Sequence, residues 1–467
     1  MENRLRLSPA TQLTRDELQV QALERIAWRK MDRWVLPICT VFYLLSFLDR
    51  SNVANARVAG LQRGLNMSNT QYSIALTVTY VPYIIAEFPS NILLKRVGPN
   101  IMLPSMVAIW GVVTTLQGTV TTYGGLLACR FFLGLVEGDG CTLVSLRTFP
   151  GLVLYLSFFY PRDRLQIRVS TFFASASLAG AFSGLLAAAI IKMDGIGGRP
   201  GWAWIFILEG LFTFLLKQDG AIAVDEEHDG FGWNDVVKSF KSPHVLLVAA
   251  AFFFNGTTLY GLAYFEPSIV AGFGYSGARA QLMSVPPFCC DIPAIFHHSL
   301  SLPVSLISAV LSDRYHCRGL VATMFSLLCL IGLAMFLGFK SNDVRYGSLF
   351  LSVPGTYCVA PALSTWMANN SAPYVRRATS IAIGFIMTNS GGILATWLLG
   401  SLSPAPDYRK ATTTFVIMSA LMAILSALNI VYLSRQNRTK AEKRRIFTLE
   451  QDEDHAGDRS AWFEYSL

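Results

Sequence analysis

The chain has 467 residues, of which 52 % are hydrophobic and only 15 % are charged, and its formal net charge is +8. Soluble domains carry about 25 % charged residues, so this composition excludes a soluble enzyme, a nucleic-acid-binding module and a disordered protein. The apolar residues form runs of about 18 or more, long enough for a helix to cross ~30 Å of hydrocarbon. We therefore predict an all-α protein that resides in a lipid bilayer and binds no nucleic acid.

The apolar runs divide the chain into two similar halves. Residues 1–33 are polar and mixed in charge, so we expect no cleavable signal peptide, and the first apolar run directs insertion. We predict an N-terminal six-helix bundle at 34–216, a cytoplasmic linker at 217–243 and a C-terminal bundle at 244–434. The polar tail at 435–467 is expected to be mobile. The twelve predicted transmembrane helices are 34–51, 73–94, 101–121, 124–146, 170–192, 202–216, 244–270, 284–311, 320–339, 346–368, 379–401 and 412–434.

Lysine and arginine are distributed unequally between the two sides of the predicted membrane. With an even number of spans both termini share one side, and that side collects more than twice as many basic residues as the other. Basic loops stay inside the cell, so we predict cytoplasmic termini in a plasma-membrane protein. The basic turns at 91–98 and 309–318 follow the second and eighth spans, which indicates a parallel internal repeat.

Two ionisable residues of the fourth predicted span share one helix face. Arg130 and Glu137 are seven residues apart, which places them ~20° apart in angle and ~10 Å apart along the axis. An ionisable group inside a membrane costs ~2.5–3.5 kcal/mol or more. The pair is therefore either a structural contact between helices or an anion anchor beside a protonatable carboxylate, and we favour the second interpretation.

Four further charges lie at the ends of predicted spans. Asp49 and Arg50 are adjacent and point about 100° apart on a helix, so they form either part of a site or a hydrated helix end. Glu87 lies near a proline, and we interpret it as a structural residue that braces the turn carrying Arg96. Glu266, near the outer end of the seventh span, is expected at the water interface.

The cysteine and glycine patterns predict neither a metal site nor a cofactor. The Cys289–His298 segment contains two cysteines, an aspartate and two histidines, but their spacing fits no standard zinc pattern. Gly195–Gly198 is predicted to be a turn outside the membrane and no phosphate-binding loop.

The chain resembles the major facilitator superfamily, and within it the fungal anion:cation symporters that include allantoate and nicotinic acid permeases. The resemblance covers roughly residues 30–435 and is specific when its motifs are taken together. The matching segments are Tyr43–Asn52, Phe88–Pro99, Arg130–Glu137, Phe149–Gly151, Tyr155–Arg162, Trp204–Gly210, Tyr260–Leu262, Leu311–Tyr315, Arg377–Thr379 and Asn389–Gly392.

This resemblance implies proton-coupled uptake of a small organic anion by a monomer that alternates its access between the two sides. Carried over, Arg50 and Arg130 would hold the substrate carboxylate, and Asp49 and Glu137 would take up the proton. The chemistry agrees, because a guanidinium clamps a carboxylate through two parallel hydrogen bonds. A substrate that competes for the arginine would leave the protein carboxyl free to take up a proton.

Residues of the second half complete the predicted site. Asn389 in the eleventh span is our best candidate there, because a lone amide can complete the polar shell around a substrate. Tyr264 and Tyr83 are weaker candidates, since an aromatic residue in a span more often serves packing. Lys95 stands where the family has an aspartate before Arg96, so we expect the cytoplasmic latch to be formed by Asp313 and Arg314.

The chain departs from the family pattern in three places. About ten additional residues occupy 139–148, the sixth span stops early before 217–243, and polar residues enlarge 288–303. These segments are either real or errors of the gene model, and in the second case the translated product could be inactive. A non-transporting nutrient sensor on the same fold is the other alternative, although its expected long signalling extension is missing from the predicted tail. No histidine or carboxylate cluster supports a membrane enzyme.

Overall fold

The computed structural model describes residues 15–97, 99–139, 153–154, 156–157, 160–215, 233–275, 277–284, 301–403, 408–446 and 457–467. These residues form helices and connecting turns, with no strand among them. The helices are α1 (Arg15–Val58), α2 (Leu61–Gly64), α3 (Asn69–Val97), α4 (Pro99–Gln117), α5 (Tyr123–Asp139), α6 (Leu165–Ile190), α7 (Gly201–Leu215), α8 (Trp233–Phe240), α9 (Pro243–Gly272), α10 (Gly277–Ser284), α11 (Ser301–Tyr315), α12 (Arg318–Gly338), α13 (Asn342–Asn369), α14 (Tyr374–Trp397) and α15 (Arg409–Ile446).

Local sequence signals explain where several helices begin. Pro99 and Pro243 are the first residues of α4 and α9, a position where proline loses no hydrogen bond and its fixed φ suits a helix. Gly60 has φ 104° between α1 and α2, a left-handed conformation that glycine adopts without steric cost. The reversal of the chain after the long first helix therefore depends on this glycine.

The helices pack as two groups that face each other. In the first group α1 packs on α6, α3 on α5 and α4 on α7; in the second, α9 packs on α14, and α12 packs on α13 and α15. The groups meet where α1 contacts α9, α3 contacts α14, and α6 contacts α10, α11 and α13. This arrangement confirms the predicted all-α fold.

Glycines allow the closest helix contacts within each group. A Cβ atom on Gly134 of α5 would lie 2.2 Å from the carbonyl oxygen of Thr79 on α3, and one on Gly256 of α9 would lie 2.4 Å from that of Thr388 on α14. Any larger residue would push these helices apart. At Gly134 the space beside α5 is therefore filled by α3.

Five described helices are long and apolar enough to cross a membrane by length and composition. They are Leu165–Met193, Pro243–Gly272, Arg318–Gly338, Tyr374–Leu402 and Arg409–Arg445. Shorter apolar helices occur at Ala108–Gln117, Tyr123–Val136 and Gly201–Leu215. The total of twelve spans and the domain boundaries stay predictions.

The tail differs from its expected mobile state. The last helix continues to Ile446, and residues 457–467 pack against the ends of α12, α13 and α15. Asn370 and Ser466 exchange two hydrogen bonds of 2.8 and 2.9 Å, and Asn437 and Tyr465 do the same at 2.8 and 2.9 Å. The side-chain amides of Asn370 and Asn437 thus pair with backbone groups of the tail, which the polar composition of the tail does not reveal. The expectation of a mobile tail is therefore wrong for residues 457–467.

Candidate functional site

A polar chain crosses between the two helix groups at the centre of the bundle. Nη1 of Arg50 on α1 donates a 2.6 Å hydrogen bond to the hydroxyl of Tyr260 on α9. That hydroxyl donates in turn to Oδ1 of Asn389 on α14, at 3.3 Å. The guanidinium of Arg50 also lies 5.8 Å from the ring centre of Tyr83. The structure thus connects the predicted residues Arg50 and Asn389 through a tyrosine.

Tyrosines on α3 and α9 form the wall beside this chain. The rings of Tyr260 and Tyr264 stack with centres 5.8 Å apart, and the hydroxyls of Tyr264 and Tyr80 lie 2.7 Å from each other. Tyr264 and Tyr83 were predicted here, whereas Tyr80 and Tyr260 were missed. The missed signal was helical spacing, because residues three or four apart share one face of a helix.

Arg130 shares a small cavity with Arg50. It is 4 % exposed, its guanidinium lies 5.9 Å from the ring centre of Phe206, and its Nη2 atom has no hydrogen-bond partner among the described residues. The cavity has a volume of about 20 Å³, enough for roughly one water molecule. Its lining residues are Arg50, Leu76, Thr79, Tyr80, Tyr83, Arg130 and Tyr264. The guanidiniums of Arg50 and Arg130 therefore line one small cavity.

The predicted proton-coupling residues differ in what the structure shows. Asp49 is 1 % exposed and lies beside Arg50 at the bundle centre. Asn52, one turn further along α1, donates a hydrogen bond to Oε2 of Glu209 on α7. The side chain of Glu137 lies outside the described residues, as do those of Glu87 and Arg96. The pairing of Glu137 with Arg130 stays a prediction.

Glu266 contradicts its expected place at the water interface. Its side chain is 0 % exposed, and neither carboxyl oxygen has a hydrogen-bond partner. The residue lies within α9 directly before Pro267, where packing by neighbouring helices covers it. The position of Glu266 near the end of a predicted span did not reveal its burial, because the residues that bury it are distant in sequence.

One end of the bundle, which we call the tail face, is closed by an ionic cluster. The carboxylate of Asp313 accepts hydrogen bonds from the backbone N–H of Ile167, at 2.9 Å, and from Nη2 of Arg318, at 3.0 Å. Arg318 also donates to the backbone oxygen of Arg162. Burial raises the pKa of Asp313 above its usual value, opposed by the Ile167 N–H and by Arg318.

The partner of Asp313 in this latch differs from the predicted one. Arg314 is exposed, with its guanidinium 6.0 Å from the ring centre of Tyr315. Adjacent residues on a helix point about 100° apart, so Arg314 turns away while Arg318, at the start of the next helix, reaches Asp313 across the turn. The basic member of the latch is therefore Arg318.

The opposite end, which we call the vestibule face, holds a cleft of about 1000 Å³. Residues 57–68 line one side of the cleft, and Ser268, Ala271 and Tyr408 line the other. The guanidinium of Arg57 lies 4.4 Å from the ring centre of Tyr72, and its Nε atom donates to Gln62 at 3.0 Å. With Arg63 also in its lining, the cleft presents positive charge to solvent.

Among the described residues, no three or more histidine, cysteine, aspartate or glutamate side chains lie together as a group that could hold a metal ion. The Cys289–His298 segment lies outside the described residues.

The sequence pattern of the Major Facilitator Superfamily matches residues 39–396. The chain belongs to this superfamily. An uncharacterised transporter of Schizosaccharomyces pombe is 33 % identical to it, over 94 % of this chain and 89 % of the relative. The high-affinity nicotinic acid transporter of Saccharomyces cerevisiae is 27 % identical, over 90 % of this chain and 79 % of the relative. The relatives of this facilitator are thus membrane transporters and not enzymes.

Solved structures agree with the facilitator fold. The inward-facing, unoccupied structure of a bacterial homologue of the human lysosomal transporter Spinster has a TM-score of 0.62 at 15 % identity, covering 85 % of this chain and 96 % of its own. The fucose:proton symporter of E. coli has a TM-score of 0.58 at 12 % identity, covering 85 % and 98 %. At these identities the likeness establishes the fold alone.

Proposed function

We propose that this facilitator imports a small organic anion together with a proton, by alternating access between the two faces of the bundle. The observation that carries the proposal is the cavity shared by Arg50 and Arg130. Nη2 of the buried Arg130 has no hydrogen-bond partner among the described residues, and a carboxylate that enters the cavity gains charge-assisted hydrogen bonds from the guanidiniums of Arg130 and Arg50. The nicotinic acid transporter among the relatives supports a monocarboxylate as the substrate class.

Each predicted residue has a role in this proposal. Arg130 offers the unpaired Nη2 atom to the carboxylate, and Arg50 offers a guanidinium held in position by Tyr260. Tyr264 lines the cavity from the C-terminal group, and Asn389 accepts a hydrogen bond from Tyr260. The candidates for the transported proton are Asp49 and Glu137.

The closed centre fits one stage of an alternating-access cycle. The groups touch at the tail face, where the Ile167 N–H donates to Asp313 and Arg318 donates to the backbone oxygen of Arg162. Near the vestibule face they touch through Ser73, whose Oγ lies 3.0 Å from that of Ser401. The cavity between these contacts admits about one water molecule, so a substrate enters only after one contact opens. We place the basic tail face in the cytoplasm of a plasma-membrane protein, in line with the positive-inside rule.

The test uses the purified full-length chain in liposomes with labelled nicotinate as the probe. We expect uptake to rise when an inward proton gradient is imposed and to collapse when an uncoupler is added. The exposed Arg409→Gln variant is the matched control, since it removes one arginine outside the cavity. A panel of labelled vitamins, ureides and organic acids extends the test to other carboxylates.

Two results would contradict the proposal. One is uptake of a panel compound that ignores the proton gradient. The other is an Arg130→Ala variant that transports with the same rate and apparent affinity as the Arg409→Gln control.

A further inference from the structure

Glu266 is a buried carboxyl that accepts no hydrogen bond from any described residue. Three other buried or nearly buried carboxylates, Glu209, Asp313 and Asp458, each accept at least one hydrogen bond from a side chain. Glu266 is 0 % exposed, and both of its oxygens are unpaired. An ionised carboxylate in such a place is strongly disfavoured, whereas a neutral carboxyl is disfavoured much less.

Among the described residues, none pairs a compensating charge with the carboxyl of Glu266. Tyr346 and Tyr357 on α13 lie close enough to interact with its carboxyl electrostatically, but a tyrosine is neutral near pH 7. None of the described charged or titratable groups on α9 or on the helices around it forms a hydrogen bond or ion pair with the carboxyl. Those groups include Tyr260 and Tyr264 on α9 itself, and Asp49, Arg50, Arg57, Arg279, Asp343, Arg345, Tyr346, Tyr357, Arg376, Arg377, Arg409 and Lys410 on the helices around it, with Tyr408 directly before α15.

Glu266 also lies between a small internal cavity and the cleft of the vestibule face. Its neighbour Pro267 lines a small internal cavity together with Ser51 and Asn55 of α1. Two residues further along α9, Ser268 lines the cleft of the vestibule face. A separation of the two helix groups at that face would therefore bring water close to the carboxyl.

We propose that Glu266 is a proton-binding site whose occupancy is required for the vestibule face to close. With the groups apart, the carboxylate takes a proton from water on that face, and closing then buries a neutral carboxyl. The proton returns to water when the carboxyl is next exposed. This inference rests on the proposed proton-dependent cycle, and it adds a site in the C-terminal group to the candidates Asp49 and Glu137.

The proposal predicts that acid favours the closed state even without substrate. Ser73 reports closure, because it is buried against Thr396 and Ser401 where α3 meets α14. A Ser73→Cys variant should react with a membrane-impermeant thiol reagent only while that contact is open. Burying one ionisable group shifts the open-to-closed ratio by up to about tenfold per pH unit.

The experiment compares the labelling rate of Ser73→Cys with that of the double variant Ser73→Cys/Glu266→Gln, over about pH 5.5 to 8. The ratio of the two rates cancels the pH dependence of the thiol itself, and the same chains without Ser73→Cys correct for native cysteines. We expect the rate for Ser73→Cys to rise with pH about tenfold or more relative to the double variant. Glu266→Leu should behave as Glu266→Gln does, and the exposed Asp343→Asn change on α13 should leave the pH dependence in place.

The proposal is overturned if the ratio of the labelling rate of Ser73→Cys to that of Ser73→Cys/Glu266→Gln stays constant with pH. It is also overturned if the labelling rate keeps the same pH dependence when Glu266 is replaced by Gln or by Leu. The labelling needs no substrate, so it separates this inference from the proposed function. If nicotinate and the panel compounds are not transported but the ratio changes as expected, the proposed import fails and the proton site stands. If proton-driven uptake persists while the ratio is flat, Glu266 is excluded and import stands.

Discussion

Two buried arginines show how differently the same side chain is accommodated in this facilitator. Arg318 at the tail face is 1 % exposed and donates hydrogen bonds to Asp313, to Ser466 and to the backbone oxygen of Arg162, with only its Nε atom unpaired. Arg130 at the centre is 4 % exposed, contacts an aromatic ring and leaves Nη2 unpaired. A buried charge that is paired by other groups of the protein stabilises the fold, whereas a buried charge that is incompletely paired is suited to bind a ligand.

Replacing Arg130 should have the largest effect on transport. Hydrogen bonds to charged groups contribute ~1.5–3 kcal/mol each, so Arg130→Ala should lower uptake efficiency by about 100-fold or more, while thermal unfolding in detergent stays near that of the parent chain. Arg130→Lys should recover only part of the loss, since an ammonium cannot form the parallel pair of hydrogen bonds. Normal apparent affinity in Arg130→Ala would show that the central arginine is structural after all.

Replacing Arg318 should damage stability instead of substrate binding. Removing one partner of a buried ion pair costs ~3–5 kcal/mol, so Arg318→Gln should lower the unfolding temperature and loosen residues 457–467. The apparent affinity for the transported anion should change little. Protease cleavage of the tail and thermal unfolding test this, with the exposed neighbour Arg314→Gln as the control. A stable Arg318→Gln variant that has lost substrate affinity would reverse the roles assigned to the two arginines.

A smaller effect is expected at the tyrosine that positions Arg50. Tyr260→Phe removes the hydroxyl between Arg50 and Asn389 but keeps the ring. One such hydrogen bond is worth about 1 kcal/mol net, so the apparent KM should rise about fivefold with little change in maximal rate. Tyr315→Phe, which changes an exposed tyrosine at the tail face, is the control. An unchanged KM would mean that Arg50 holds its position by other contacts.

The fold and the central residues could be predicted because they depend on local sequence. Apolar runs of sufficient length can be satisfied in a membrane only as helices, which gave the all-α fold. A charge inside such a run needs a partner or a function, which made Arg50 and Arg130 candidates, and the family resemblance assigned both to one substrate carboxylate. The two side chains line one cavity, and their role in binding stays a prediction.

What could not be predicted depends on contacts between distant residues. The partner of Asp313 is Arg318 and not the adjacent Arg314, because helix geometry turns the adjacent residue away. Glu266 is buried by helices that composition cannot place around it. The docked tail follows from side-chain amides that meet backbone groups about 30 to 100 residues away. In each case the sequence does not show which other residues contact the one in question.

The docked tail should respond to pH through Asp458. Burial is the largest influence on this carboxyl and raises its pKa to about 6, against the opposing effects of Arg376 and Lys440. Because the pKa in the docked tail exceeds the ordinary 3.8, the docked state holds more protons, so its stability is greatest below pH 3.8 and declines as pH rises to about 6. Above that range it should be constant.

Hydrogen exchange of the amides of residues 457–467 measures this effect. The rate in the parent chain is divided by the rate in Asp458→Asn at each pH, which cancels the intrinsic pH dependence of exchange. The ratio should increase between about pH 4 and 6 and then level off. A ratio that decreases over this range would mean that pairing with Arg376 outweighs burial.

The smallest expected effect concerns the arginines that line the vestibule cleft, which are exposed compared with Arg130 and less fully paired than Arg318. Arg63 lies on the surface of the cleft, so it can attract an anion from solution only through its long-range field. The range of that field falls from ~30 Å at 0.01 M salt to ~3 Å at 1 M. Arg63→Gln should therefore raise the apparent KM about twofold at low salt and leave it unchanged at high salt.

The exposed Lys340→Gln change, outside the cleft lining, should alter KM less at low salt. If the effect of Arg63→Gln persists at 1 M salt, Arg63 contacts the substrate directly, and the vestibule would then contain a binding site comparable to the central cavity.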